Sequence, residues 1–130
     1  MKEIYRLNVD NIHPVPQGSP NATYKGGRII MYNPKNLEEY RKKLIRYIHN
    51  EFTEFKYADR LFHVDMEFRV KRPALPGDVD KLARAILDVG TQSGIYTDDC
   101  QVISICARKV RSTVEGVTVI FSVYEDGEID

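Results

Sequence analysis

Four aspartates stand in two pairs within residues 77–101. Asp78 and Asp80 are one residue apart at the start of a helical pattern, and Asp98 and Asp99 are adjacent where the chain would return from it. The stretch runs Gly77-Asp78-Val79-Asp80-Lys81-Leu82-Ala83-Arg84, then Asp88, then Gly94-Ile95-Tyr96-Thr97-Asp98-Asp99-Cys100-Gln101. A helix of about 11 residues is about 16 Å long, so residues 90–97 can run back beside it and bring Asp99 toward Asp78 and Asp80. Carboxylates gathered at one point repel one another unless cations lie between them. Their hard oxygens suit Mg²⁺, which keeps waters and takes up substrate phosphates. Two such ions about 4 Å apart stabilise both oxygens of a phosphodiester displacement. Spacing alone leaves a structural alternative open, and it is the commoner one: Asp78 as a helix cap and Asp98-Asp99 as a turn before a strand.

The surrounding elements must position these groups. Alternation over residues 3–9 predicts a short first strand, whereas residues 10–33 carry prolines, glycines and no period, and predict an irregular segment with a basic turn at Lys25-Gly26-Gly27-Arg28. Asn33-Pro34 opens a helix that reaches about Glu51, with Leu37, Tyr40, Leu44, Tyr47 and Ile48 inward and Arg41, Lys42 and Arg46 outward. Glu38–Lys42 and Glu39–Lys43 have the favourable i,i+4 order. Residues 62–70 alternate cleanly: Phe62, Val64, Met66, Phe68 and Val70 face one way, His63, Asp65, Glu67 and Arg69 the other. A second helix from about Val79 to Val89 has Asp78 as its cap and Val79, Leu82, Ala85, Ile86 and Val89 as its apolar stripe. Asp80, Arg84 and Asp88 fall on one polar line, which suggests that Asp88 orients Arg84, while Gly90 and Gly94 act as stop signals. Two more strands, about 101–110 and 116–124, complete a β-α-β-α-β-β order. The expected fold is α/β (α+β): a single domain over 1–130 with one mixed sheet and two helices packed on it.

The motif Asp78-x-Asp80-x-Leu82-x-Arg84-x-x-x-Asp88, followed by Gly94-Ile95-Tyr96-x-Asp98-Asp99-x-Gln101-Val102, resembles the RusA family of Holliday-junction resolvases, common in phages and prophages. The Pro14–Pro20 segment, the helix over Asn36–Ile48 and the basic Arg108-Lys109 extend the resemblance over most of the chain. It implies a homodimer that cleaves four-way DNA junctions in the cytoplasm of a bacterial host with Mg²⁺ or Mn²⁺, leaving 5′-phosphate and 3′-hydroxyl ends. The family's three metal-binding acids fall on Asp78, Asp80 and Asp99. Its functional lysine falls on Arg84, and Lys81 is the nearby cation that can substitute. Lysine and arginine are not equivalent at a reacting phosphate, so a non-catalytic junction-binding protein remains the alternative reading.

Composition bounds the rest. The chain has 130 residues, 42% hydrophobic and 29% charged, with 19 basic against 19 acidic side chains. Net neutrality argues against a generally basic nucleic-acid binder, but the basic residues are clustered. Lys25/Arg28, Lys71/Arg72 and Arg108/Lys109 are the candidate DNA contacts. No apolar run approaches a membrane span and no secretion signal is visible at the N-terminus, so no membrane partner is expected. Cys100 and Cys106 fit no zinc spacing and are expected to be reduced thiols, with Cys106 in the core.

Overall fold

In the computed structural model, which describes residues 1–18, 21–32 and 34–129 (backbone alone for 21–25 and 29–32), two helices pack on one mixed four-stranded sheet. The sheet strands are β1 (Lys2–Asp10), β4 (Phe62–Val70), β5 (Val102–Arg111) and β6 (Gly116–Val123), in the order β1-β6-β4-β5. A separate hairpin, β2 (Asn21–Lys25) and β3 (Arg28–Tyr32), lies between β1 and the first helix. The helices are α1 (Lys35–Glu51) and α2 (Val79–Ser93).

β1–β6 and β6–β4 are antiparallel, and β4–β5 is parallel. A parallel pair needs a crossover connection, and α2 is that connection. The β4 alternation becomes physical burial. Phe62, Val64, Met66, Phe68 and Val70 are buried, while His63, Asp65, Glu67 and Arg69 are half-buried on the other face. The core closes between the inner face of the sheet and the apolar stripes of α1 (Leu37, Tyr40, Leu44, Ile48) and α2 (Leu82, Ala85, Ile86, Val89). No described helix is long and apolar enough to cross a membrane.

Several sequence expectations need correction. The segment 10–33 is not all irregular: Gly26 and Gly27 both have positive φ (58° and 75°), the conformation of a two-residue turn that pairs β2 with β3. Arg41 is not on the outer face of α1. It shares the 37-41-44-48 spacing of the buried stripe and is 7% exposed. Cys106 is exposed, because the parallel register sets it opposite Asp65 on the solvent side of edge strand β5. Helix α2 does not stop near Gly90 but runs to Ser93, ending at Gly94 with φ 92°. The proposed cap Asn33 lies outside the described residues. Residue 34 precedes α1, and its carbonyl accepts from Leu37 and Glu38 N–H. Glu39 reaches back to Lys35 rather than forward to Lys43.

Gly90 has a packing role in place of a stop. A Cβ there would overlap the Tyr96 ring, whose hydroxyl donates to Leu87 O at 2.6 Å and which packs edge-to-face with Phe62, ring centroids 5.2 Å apart. Gly90→Ala is therefore expected to lower stability by about 1–3 kcal/mol, the usual cost of overpacking. Urea unfolding followed by circular dichroism measures it, and an unchanged midpoint would show that Tyr96 does not need this approach.

Candidate active site

The acidic corner begins where β4 ends. Residues 71–77 contain two prolines and leave the sheet. The Lys109 ammonium of β5 then ties them back, donating to Gly77 O at 2.6 Å. One residue later, Asp78 is the N-cap of α2, and its backbone O accepts from Lys81 and Leu82 N–H, both at 3.1 Å. Its side chain makes no cap hydrogen bond, so the carboxylate is not consumed by the helix end.

Helical geometry puts residues four apart on one face. Asp80, Arg84 and Asp88 accordingly line a single open cavity of about 670 Å³, together with Gln17, Gly18, Lys81 and Asp99. Asp78 lines an adjoining cavity of about 480 Å³ whose other walls include Pro14, Pro16 and Leu37. Gly18 and Lys81 belong to both. The structure thus sets Asp80 and Asp99 around one cavity, adds Asp88 to them, and puts Asp78 next door. The two candidate phosphate cations, Lys81 and Arg84, are both on the acidic cavity.

Asp99 arrives there by a chain of local restraints. Tyr96 is buried under α2, and Thr97 N–H donates to Ala58 O at 3.0 Å. Asp98 then caps a single 3₁₀ turn (Asp99–Gln101): its carboxylate accepts from Cys100 N–H at 2.9 Å, and the Gln101 side chain accepts from Asp98 N–H at 2.9 Å. This reciprocal capping box occupies Asp98 and leaves Asp99 for the cavity. The two neighbours are driven in opposite directions. The Cys100 N–H holds the Asp98 carboxyl below the usual carboxylate range. Desolvation, then the hydrogen bond and charge of Asp98 and the charge of Asp88, push Asp99 up, against the pull of Arg84. Burial, with the Asp99 and Asp88 charges, pushes the Tyr96 phenol up as well.

The donor set suits a hard cation. Every candidate ligand is an oxygen, and Gln17 Oε1 is buried with no hydrogen-bond donor, an acceptor that a cation would satisfy. Among the described residues, no group of three or more His, Cys, Asp and Glu side chains is set closely enough to hold an ion by itself. The carboxylates ring the cavity, which leaves room for the waters and substrate phosphate that Mg²⁺ normally keeps.

The candidate DNA contacts are distributed differently. Arg28 is exposed at the hairpin turn, and the Lys25 side chain lies outside the described residues. Lys71 and Arg72 are exposed and flank a small pocket with His13 and Leu75. Arg108 is paired with Glu67 at 2.8 Å, and Lys109 is committed to Gly77. Of these, the described side chains do not line the acidic cavity. Sequence reasoning missed Gln17, for which the only signal was its place in a Pro/Gly segment. It also paired Asp88 with Arg84. The structure pairs Asp88 with Arg41 of α1 at 3.0 Å, because that guanidinium is buried against α2.

Comparison with known proteins points the same way. The family model described as Endodeoxyribonuclease RusA matches residues 11–121, a span that contains the whole acidic site. No curated protein matches the chain.

The capping role of Asp98 has a measurable consequence. A carboxyl held below its unfolded value contributes stability that is present above the unfolded pKa and lost as pH falls through the folded one. Asp98→Ala is expected to lower the Tm at pH 7, with the deficit shrinking as pH falls through the carboxylate range. A thermal-melt series against pH checks this, and a deficit that is constant with pH would rule out the ionised cap.

Proposed function

The chain belongs to the RusA endodeoxyribonuclease family, and on that premise we propose that it is a divalent-metal-dependent resolvase of four-way DNA junctions. Family membership implies a Holliday-junction-resolving endonuclease. The metal dependence, the homodimer and the phage or prophage origin in a bacterial cytoplasm are our own reading. The observation that carries it is the single open cavity on which the motif aspartates Asp80 and Asp99 meet the cations Lys81 and Arg84.

In this reading Asp80 and Asp99, with Asp78 at the adjoining wall, hold Mg²⁺ or Mn²⁺. The bound ion supplies a Lewis acid for the scissile phosphate. The chain's own residues do the rest. Arg84 presents a planar, always-charged fork to phosphate oxygens, and Lys81 presents a point charge between the two cavities. Lys109 and the capping box at Asp98 fix the two ends of the acidic site, so little reorganisation remains when substrate arrives. Hydrolysis leaves 5′-phosphate and 3′-hydroxyl ends. The exposed bases Arg28, Lys71, Arg72 and Arg108 neutralise flanking phosphates and release counterions. A two-fold dimer presents two such cavities to the two-fold junction, giving paired incision.

Purified protein is incubated with a labelled four-way junction and a matching linear duplex, with Mg²⁺, Mn²⁺ or chelator. Paired nicks confined to the junction and dependent on metal are expected. Asp80→Asn is expected to slow cleavage by about 10²-fold or more while retaining junction affinity. Tight junction binding without cleavage by the unaltered protein would instead identify a non-catalytic binder, the outcome that Arg84 in place of lysine favours. A flat calorimetric titration with Mn²⁺ would remove the metal.

A further inference from the structure

Arg41 is an anomaly in α1. The helix displays Lys42, Lys43 and Arg46 outside its buried stripe, yet Arg41 occupies a position of the apolar stripe with 7% of its surface exposed. Burying a guanidinium is costly unless it is paired. Its charged partner is Asp88 of α2, at 3.0 Å from Nη2 to Oδ2, and its Nε is buried with no acceptor. Packing does not call for a charge there, since an apolar side chain of similar length would fill the site. The partner explains it. The Asp88 side chain is 32% exposed, and its open part lines the cavity shared by Asp80, Arg84 and Asp99. One end of this interhelical pair is therefore largely buried between the helices, away from the acidic cavity, and the other belongs to the acidic site.

We infer that Arg41 is a positioning residue of the acidic cavity, acting through Asp88: it holds one Asp88 oxygen against α1 and offsets a charge that would otherwise compete with Asp80 and Asp99 for the cation. The inference rests on the metal-dependent reading above and extends it to two residues outside the acid triplet. A carboxylate left unopposed beside two others draws the ion toward itself. Loss of Arg41 therefore tightens ion binding while misplacing the ion, and the two effects separate affinity from rate. A bridge that merely ties two helices together would change melting temperature and leave ion affinity alone.

The test uses the full chain with Arg41→Met, Arg41→Gln, Arg41→Lys, Asp88→Asn and the Arg41→Met/Asp88→Asn double variant. Circular dichroism melts fix a temperature at which each is folded. Arg41→Gln stands in if Arg41→Met does not fold. Mn²⁺ alone is titrated by calorimetry, and single-turnover junction cleavage is followed in parallel. Loss of a partner behind a metal ligand typically costs about 10- to 100-fold in affinity or activity; here the partner neutralises a competing carboxylate, so a change of the same size is expected with the opposite sign in affinity. Arg41→Met is expected to bind Mn²⁺ about 10-fold more tightly and to cleave about 10-fold more slowly, with junction affinity unchanged. Arg41→Lys, which keeps the charge, restores the Mn²⁺ affinity. The double variant loses the tightening, because the carboxylate responsible is gone, and cleaves no more slowly than Asp88→Asn alone. Arg41→Met or Arg41→Gln matching the unaltered protein in both readouts would overturn the inference, as would tightening that survives in the double variant. If the unaltered protein neither binds Mn²⁺ nor cleaves, the metal-dependent reading falls and the inference falls with it. An active parent with indifferent Arg41 variants sinks the inference alone.

Discussion

Tyr96 is the constraint on which the acidic site depends. Its ring is buried against Phe62 and Phe121, and its hydroxyl reaches across to Leu87 O of α2. With a phenol fixed at both ends, the three residues that follow have little freedom. Thr97 bonds to Ala58, Asp98 caps the 3₁₀ turn, and Asp99 is delivered to the cavity face of α2. The same ring forces Gly90 to be glycine. One buried aromatic thus converts a sequence separation of about twenty residues into a shared cavity, and does so through the core, whose packing tolerates little rearrangement.

What the core assembles, electrostatics opposes. Asp80, Asp88 and Asp99 face one opening, and the charges of Asp88 and Asp98 act on Asp99 in the direction that disfavours its ionisation. Fixed cations answer part of this: Arg84 within the cavity and Arg41 behind Asp88. The remaining imbalance is what a divalent ion would neutralise. On this view neutrality of the whole chain and function on a polyanion are compatible. The acidic excess is concentrated at one opening, while Arg28, Lys71 and Arg72 stay exposed for phosphate.

The sequence was most legible where a period was long. The β4 alternation and the apolar stripe of α2 are strong patterns: β4 stands where its alternation puts it, and α2 starts where its stripe does and buries Leu82, Ala85, Ile86 and Val89, although Val79 is exposed and the helix runs on to Ser93. It was least legible where a residue's role is set by something distant. Gly90 reads as a helix stop, and only the three-dimensional approach of Tyr96 shows that it lies inside the helix. Gly26-Gly27 reads as loop because glycine marks loops and tight hairpin turns alike, and residues 21–32 lack the alternation that would have separated the two. Cys106 sits in an apolar run, but β5 is an edge strand, so hydrophobicity there does not guarantee cover; Ile103 and Ile105 are exposed as well.

Arg41 shows the same limit at the site itself. A helical pattern identifies position 41 as inward-facing from the 37-41-44-48 spacing, yet a charged residue in an otherwise basic helix reads as surface. The two signals conflict, and the resolution lies on another helix, in a carboxylate 47 residues away. Such conflicts between a local rule and its context are expected where a function is being served, since a stable core has no need of them. Asp88 carries the complementary signal. Its i,i+4 relation to Arg84 suggests a local pair, but Asp88 is paired with Arg41, while Arg84 lines the cavity and its charge acts on Asp99. Both arginines therefore act on the acidic cluster from different sides, one lining the cavity that receives a phosphate and one largely buried behind it. A phosphate can displace or share the first; only the buried one can hold its carboxylate in the same place whether or not substrate is bound.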